Sequence, residues 1–329
     1  MSKPLVSIII VNWNGGKVFE DCLESLRKLR YTNYEIIVFD NGSTDGTDRF
    51  ATIKSRKNIG FVGGNNEGFK KARGKYILFL NNDTTVSPDL LNVMASKMEK
   101  DETIGALQPK IYLMDKPGYL DNAGSFLNTF GFSNHWGFME KNGKEFDHER
   151  EIFSAKGACL MTRKDIIDKI GLFDGDYFAY FEESDFCWRL WISGFKVLYY
   201  PKTYIYHKLG FTSRKILDIN FSFHTLKNRI ESFIKNFELP YLFIFLSVHL
   251  FFLGILGFVY LVQLKFERVS VVIKAVGWNV KNLRNTLYKR HNVQKFRTRR
   301  DGEILPIIMQ KTNIFDFISH FFEVEKSTV

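Results

Sequence analysis

Cysteine is scarce in this chain of 329 residues, and Cys22, Cys159 and Cys187 stand too far apart to form a metal-ligand pattern. They read as buried thiols in a reducing compartment. No Gly-x-Gly-x-x-Gly follows the first apolar segment, where the turn is Asn12-Trp13-Asn14-Gly15-Gly16-Lys17. That absence removes the dinucleotide fingerprint and leaves a nicotinamide-dependent dehydrogenase as a distant third reading. No Gly-x-x-x-x-Gly-Lys-Ser/Thr occurs either, which excludes a P-loop. Internal repeats and low-complexity linkers are missing. Pro4 and a strand-like run at 5–11 stand where an apolar leader would be, so the amino-terminal domain is expected in the cytoplasm. Two further gaps concern charge: residues 239–264 hold no Asp, Glu, Lys or Arg, and 265–300 hold one acid, Glu267.

What is present is apolar and basic. Hydrophobic residues make up 45% of the chain and aromatics 16%, with 33 phenylalanines, ample for one large core or two modest ones. Eleven Lys and Arg in 265–300, set against Glu267, equal the whole net charge of +10. A basic segment suits nucleic acid or an anionic membrane surface. The neighbouring uncharged stretch favours the membrane, because an apolar run of that length can cross or embed in a bilayer with cations at the headgroups. A single crossing would place the cations outside, against the positive-inside tendency. A helical hairpin or interfacial embedding, using 269–280 and returning the tail to the cytoplasm, is therefore expected.

Alternating strands and helices predict an α/β sheet. Strands are expected at 5–11, 34–39, 76–80, 104–113 and 153–161, with short ones at 196–200 and 204–207. Helices are expected at 18–29, 88–99, 163–170 and 182–193. The Gly- and Asn-rich run 58–68 reads as a loop leading into a helix, and 118–143 as long loops with short strands. The chain divides into 1–215, an apolar and basic region 216–300, and a tail 301–329.

Five places offer chemistry. The strand at 76–80 runs into Asn81-Asn82-Asp83, a solvated turn when taken alone. At the carboxyl end of a parallel strand, however, its carboxylate could hold a divalent cation. Asp40, followed by Asn41-Gly42-Ser43-Thr44-Asp45-Gly46-Thr47, suits hydrogen bonding to a base or ribose, or merely an Asx-type turn and helix cap. The Gly60–Gly68 stretch could pass N–H groups around phosphate, or be a plain loop. Glu182, Glu183 and Asp185 open a helix, where acids are favoured by the dipole. Crowded behind aromatic residues 177–181, they could instead yield a raised pKa and a general base. His207 ends a strand and is a core residue or a ligand.

Together, in this order, these residues resemble the family 2 glycosyltransferases of GT-A fold, especially bacterial rhamnosyltransferase-like members, over residues 4–213. Val38-Phe39-Asp40-Asn41-Gly42-Ser43-Thr44-Asp45 resembles the family's nucleotide-binding segment. Asn58-x-Gly60-Phe61-x-Gly63-Gly64-Asn65 resembles its second nucleotide-side loop. Leu80-Asn81-Asn82-Asp83 is similar to the metal-binding Asp-x-Asp motif, with Asn81 replacing the first acid. Gly157-Ala158-Cys159 is similar to a segment near sugar and acceptor, and Glu182-Glu183-x-Asp185 to Glu-Asp-x-Asp, whose second acid is the base.

The resemblance implies a mixed, mainly parallel sheet flanked by helices, with carboxyl-terminal membrane-associated helices. It implies an inverting transferase that uses Mg2+ or Mn2+ on Asp83 and His207, with Glu183 as base, Asp185 beside it and Glu182 toward the acceptor. The nucleotide sugar, dTDP-rhamnose as the favoured donor, would meet Asp40, Asn41, Ser43, Asp45, Asn58, Gly60, Gly63 and Asn65. The acceptor would be lipid-linked (a polyprenyl diphosphate) or a glycan, at the cytoplasmic face of the cell membrane, with no role for nucleic acid. A non-catalytic sugar- or lipid-binding scaffold is the alternative, disfavoured because Asp83, Glu183 and His207 are all present.

Overall fold

The computed structural model describes residues 3–209 and 218–313. In chain order its elements are β1 (Val6–Asn12), α1 (Gly16–Arg27), β2 (Tyr34–Asp40), β3 (Ile53–Lys54), α2 (Gly60–Phe69), β4 (Tyr76–Leu80), β5 (Thr84–Val86), α3 (Leu90–Lys100) and β6 (Ile104–Leu113). Then come β7 (Leu120–Asn122), β8 (Ser125–Asn128), β9 (Ser133–His135), β10 (Arg150–Glu151), β11 (Cys159–Arg163), α4 (Lys164–Ile170), α5 (Glu182–Ile192) and β12 (Lys196–His207). The carboxyl-terminal region adds α6 (Asp218–Asn236), α7 (Leu239–Val262), α8 (Phe266–Lys281), α9 (Leu283–Lys295), α10 (Asp301–Ile308) and β13 (Met309–Gln310).

The main sheet runs β10-β12-β6-β11-β4-β1-β2-β3, with β5 and β7 added on β12 and β6. β1 pairs in parallel with β2 and β4, and β12 with β6, while β11 is antiparallel to both β4 and β6. The sheet is therefore mixed. β1 and β4 are buried on both faces and their side chains alternate between two cores: Ile77 and Phe79 point to one, Tyr76, Leu78 and Leu80 to the other. The second core is closed by α1 and α3 through Phe19, Cys22, Leu26, Leu90 and Met94; the first contains α4, α5 and α6.

Four expectations change. The 58–68 run is helix from Gly60 onward, because Gly60 reaches a left-handed φ of +86° at the helix start and the later glycines allow α2 to lie close on β1. Of the 153–161 segment only 159–161 falls in a strand, β11, which runs on to Arg163. The two short strands at 196–207 are one, β12, with a register irregularity between Tyr199 and Tyr204 that absorbs Pro201. Beyond 300 the chain forms α10, and β13 pairs with β8. The expected boundary near 215 and residues 314–329 lie outside the described residues, as does the Gly210–Ser213 end of the resemblance.

All three cysteines are free and buried, and burial pushes the thiols of Cys22 and Cys187 up to about 12. The uncharged run forms one helix of 24 residues, α7, long and apolar enough to cross a membrane. Leu264, at φ 58°, turns the chain back into α8, and Gly257 of α7 faces Val272 of α8, so the two helices form a hairpin.

Candidate functional site

The carboxyl ends of β1, β2 and β4 open onto a cavity of about 420 Å3, whose far wall comes from the loop before α5 and from α6. β4 ends at Leu80, paired with Cys159 of β11, and the Asn81 N–H donates to Ala158 O at 3.1 Å. Sheet register thus sets Asn81-Asn82-Asp83 beside Gly157-Ala158. β5 pairs with β12 so that Thr84 faces His207, and Lys208 N–H donates to Asp83 O at 2.9 Å. His207 and Asp83 are brought together from opposite ends of the domain by that one short pairing.

Their side chains meet: His207 Nε2 lies 3.1 Å from Asp83 Oδ1, and Nδ1 lies 2.8 Å from Asp121 Oδ2. Asp121 also accepts from Lys156 Nζ at 2.7 Å. If Nδ1 carries the proton toward Asp121, Nε2 presents its lone pair to Asp83 Oδ1, and two acceptors at that distance need a positive charge between them. A proton supplies it in the free protein. Burial alone would lower the His207 pKa, but the charges of Asp83 and Asp121 outweigh it and lift it to about 9. Burial likewise works against ionised Asp121, yet Lys156 and His207 hold its carboxyl well below the usual range. Asn81 Oδ1 is buried without a hydrogen-bond partner, and Asp83 Oδ1 has only the His207 contact. One orphan amide oxygen beside a carboxylate and an imidazole nitrogen makes a hard-donor set that fits a divalent cation in place of the proton.

Glu182 and Glu183 line the opposite part of the cavity, each with one carboxylate oxygen unpartnered. Burial raises both, Glu182 further because of the adjacent Glu183 charge. They begin α5 directly after Tyr180 and Phe181, both left-handed at φ 71° and 69°. Such strain persists only where neighbours hold it, and Asn228 of α6 does so, its Nδ2 donating to Ala179 O at 3.0 Å and Tyr180 O at 2.6 Å.

Asp185 requires a correction. It lies outside the cavity lining, and both its oxygens are taken: Arg189 at 3.0 Å on Oδ2, with Ser232 at 3.0 Å, Asn236 at 2.9 Å and Lys235 at 3.1 Å on Oδ1. Despite burial, Lys235 and Arg189 keep it low. Asp185 anchors α5 to α6 and is not placed to touch a reacting group.

The nucleotide-side residues divide. Asn41, Asn58 and Gly60 line the cavity; Asp40, Ser43, Asp45, Gly63 and Asn65 do not. Asp40 accepts from Gly42 and Ser43 N–H at 3.1 and 2.9 Å, the Asx-type turn, and from Asn12 Nδ2 at 3.1 Å. Asp45 caps Thr47, and Asn65 donates to Phe61 O. These groups shape the loops that carry Asn41 and Asn58. The N–H groups of Ile59, Gly60 and Val62 are already accepted by Asn41, Asn58 and Phe178 O. Gly157, Ala158 and Glu182 all line the cavity.

Sequence reading missed Asp121, Lys156, Trp13 and Arg229 as site residues. Lys156 directly precedes Gly157 and was within reach of that reading; Asp121 lies in a loop-like region with no periodic signal. An acidic trio, Asp174, Asp176 and Glu231, also converges elsewhere, but Lys289 Nζ bonds all three at 2.5, 2.5 and 2.8 Å. It is an ion-pair knot.

A family profile described as Glycosyl transferase family 2 matches residues 7–171. Poly-beta-1,6-N-acetyl-D-glucosamine synthase of Staphylococcus aureus is 22% identical over 206 residues, covering 60% of this chain and 48% of its own. The chain spans about half or less of the length of the curated relatives it matches. Among solved structures, S. aureus TarS 1–349 in complex with UDP superposes with a TM-score of 0.54 at 18% identity, covering 89% of both chains. The Pyrobaculum calidifontis mannosyltransferase PcManGT, in complex with GDP-Man and Mn2+, gives 0.52 at 14% identity over 90% of this chain and 86% of that one. At these identities the likeness shows the fold, a mixed α/β GT-A sheet with a helical carboxyl-terminal region.

Proposed function

The chain belongs to glycosyl transferase family 2, and we propose that it transfers a sugar, with inversion, from a nucleotide-diphosphate donor to a lipid-linked or polysaccharide acceptor at the cytoplasmic face of a membrane. One observation carries the reading: Asp83, His207 and the unpartnered Asn81 Oδ1 share a single cavity with the protonatable pair Glu182–Glu183. A metal end and a base end in one cavity are what a displacement at the anomeric carbon needs. The relatives support the class: one is a polysaccharide synthase, and solved neighbours hold UDP, or GDP-Man with Mn2+.

Asp83 and His207, with Asn81 beside them, would hold Mg2+ or Mn2+. The ion, when bound, neutralises charge on the departing diphosphate. Asp121 keeps the His207 proton on Nδ1 and so leaves Nε2 free as a ligand. Asn41, Asn58 and Gly60 frame the nucleotide. Glu183 removes the acceptor hydroxyl's proton as that oxygen attacks from the face opposite the nucleotide, and the buried partner Glu182 supplies a neighbouring acid that can share the proton. Asn81 in place of a second acid makes the site depend on His207 and on the donor's phosphates. Rhamnose from dTDP remains the favoured donor by family likeness. The uncovered apolar face of α7 and the cations beyond it support membrane association through 239–264.

The test is a panel of nucleotide sugars, dTDP-rhamnose included, with and without Mn2+, read as hydrolysis or transfer. Metal-dependent turnover of one donor is expected. No turnover and no nucleotide binding would leave only a scaffold with this fold.

A further inference from the structure

A third group of unsatisfied polar atoms lines the same cavity. Arg229 Nε, Thr225 Oγ1 and Ser133 Oγ are all buried without hydrogen-bond partners. Thr225 and Arg229 lie one turn apart on α6 and so share a face. Ser133 follows Phe132, whose ring stands 4.8 Å from the Arg229 guanidinium, and Phe181 covers it at 5.6 Å. Among the described residues no carboxylate pairs with Arg229, whereas Lys156 and His207, the other cations of the lining, are committed to Asp121 and Asp83. A guanidinium desolvated between two rings and left without a counter-ion is costly, and an incoming anion relieves that cost. Burial lowers its pKa to about 10, which leaves it charged at neutral pH.

The surroundings indicate the rest of that ligand. Phe132 packs on Phe252 of α7 at 6.3 Å, Phe252 on Phe251 at 5.7 Å, and Phe251 is two-thirds exposed on the bare apolar face. An unbroken aromatic track thus leads from the unpaired cation to the uncovered side of α7.

We propose that Arg229, Thr225 and Ser133 form a phosphate site for the acceptor, and that the acceptor is an amphiphile whose phosphate sits there while its apolar chain leaves along Phe132, Phe252 and Phe251. This rests on the glycosyltransferase reading and adds a second anion site, distinct from the donor's at Asp83 and His207. A phosphate could equally come from the donor, so the experiment separates the two sources.

Full-length protein in detergent is titrated calorimetrically with dodecyl phosphate, dodecanol and inorganic phosphate, and separately with UDP, GDP and dTDP in Mn2+. Dodecyl phosphate should bind at least tenfold tighter than either dodecanol or inorganic phosphate. Arg229→Gln should lose that preference, Arg229→Lys should recover part of it, and nucleotide affinity should change less than twofold. If Arg229→Gln fails to fold, the Thr225→Ala/Ser133→Ala double variant serves, with a three- to tenfold loss expected. Equal binding of dodecyl phosphate to wild type and variant, or a loss confined to nucleotides, overturns the proposal. Failure of every nucleotide to bind the wild type would instead sink the glycosyltransferase reading, and it is read in a separate titration.

Discussion

Glu183 is the one acid of the cavity whose pKa is raised while Lys156 sits near enough to favour its charged form. Burial dominates, so the carboxyl holds its proton to a pH above its ordinary value of about 4.3. A base must be ionised to act. The rate should therefore fall as pH drops through that raised pKa, and the acid limb of kcat should lie above the usual carboxylate range. Glu183→Gln should abolish the limb and lower transfer by roughly 10²–10⁴-fold with donor affinity kept; turnover within tenfold of wild type would remove Glu183 from the role. Gly60 makes a second residue-scale case. At φ +86° a Cβ there would stand 2.3 Å from Phe178 O, on the loop that leads to Glu182. Gly60→Ala should cost on the order of 1–3 kcal/mol in denaturant unfolding and weaken nucleotide binding. Unchanged stability would mean that the loop can move away.

At the scale of elements, α6 joins the site to the rest of the molecule. It supplies Asn228 to the strained Tyr180–Phe181 loop, Lys235, Ser232 and Asn236 to Asp185, and Glu231 to the knot around Lys289. Lys289 lies on α9 and neutralises Asp174 and Asp176 from the same loop region that lines the cavity. Although burial opposes its charge, Asp174 is held well below its ordinary pKa by Lys235 and Lys289. Its contribution to stability is therefore present above the unfolded pKa of about 3.9 and lost as pH falls through the depressed folded value. Lys289→Met removes one counter-ion from three close carboxylates and should cost about 3–5 kcal/mol at neutral pH. The gap between wild type and variant in thermal melts should narrow as acid protonates the trio; a constant gap would make the loss one of packing.

None of this knot was legible in the sequence, because Lys289 and Asp174 are 115 residues apart and no local pattern links them. The strands at 5–11 and 76–80 were legible, since five or more consecutive apolar residues bounded by turn signals have few other uses. Asp83 and His207 could be placed by family order, but Asp121, which orients His207, lies where short strands interrupt irregular chain. Asp40 shows the opposite failure: the residue stands out in the sequence, while its carboxylate is consumed by the turn it begins.

Across the whole molecule, the bare side of α7 is followed in the chain by exposed cations of the basic segment. Leu242, Phe245, His249, Phe252, Leu256 and Tyr260 make a stripe at helical spacing that packs inward along most of α7. Phe243, Phe251 and Phe258 project from the other side, each about two-thirds exposed. A helix covered along one side by its own protein cannot be ringed by lipid, so α7 is better suited to lie partly immersed than to cross alone. The hairpin agrees, because α8 with 16 residues is about 24 Å long, short of the roughly 30 Å hydrocarbon core. Lys265, Lys274, Lys281 and Arg284 are exposed beside it, where anionic headgroups would meet them. Changing Phe243, Phe251 and Phe258 together to Ser should move the protein from membrane pellet to supernatant, and high salt should weaken binding to phosphatidylglycerol vesicles only in part. Topology can be read with Gln263→Cys at the hairpin turn, since the native cysteines are buried. In inside-out and right-side-out vesicles, a hairpin dipping from the cytoplasmic side leaves this thiol unreactive to an impermeant reagent applied outside. Labelling from the outer face would show that α7 crosses and would be incompatible with the packing of Lys289 against the loop that lines the cavity.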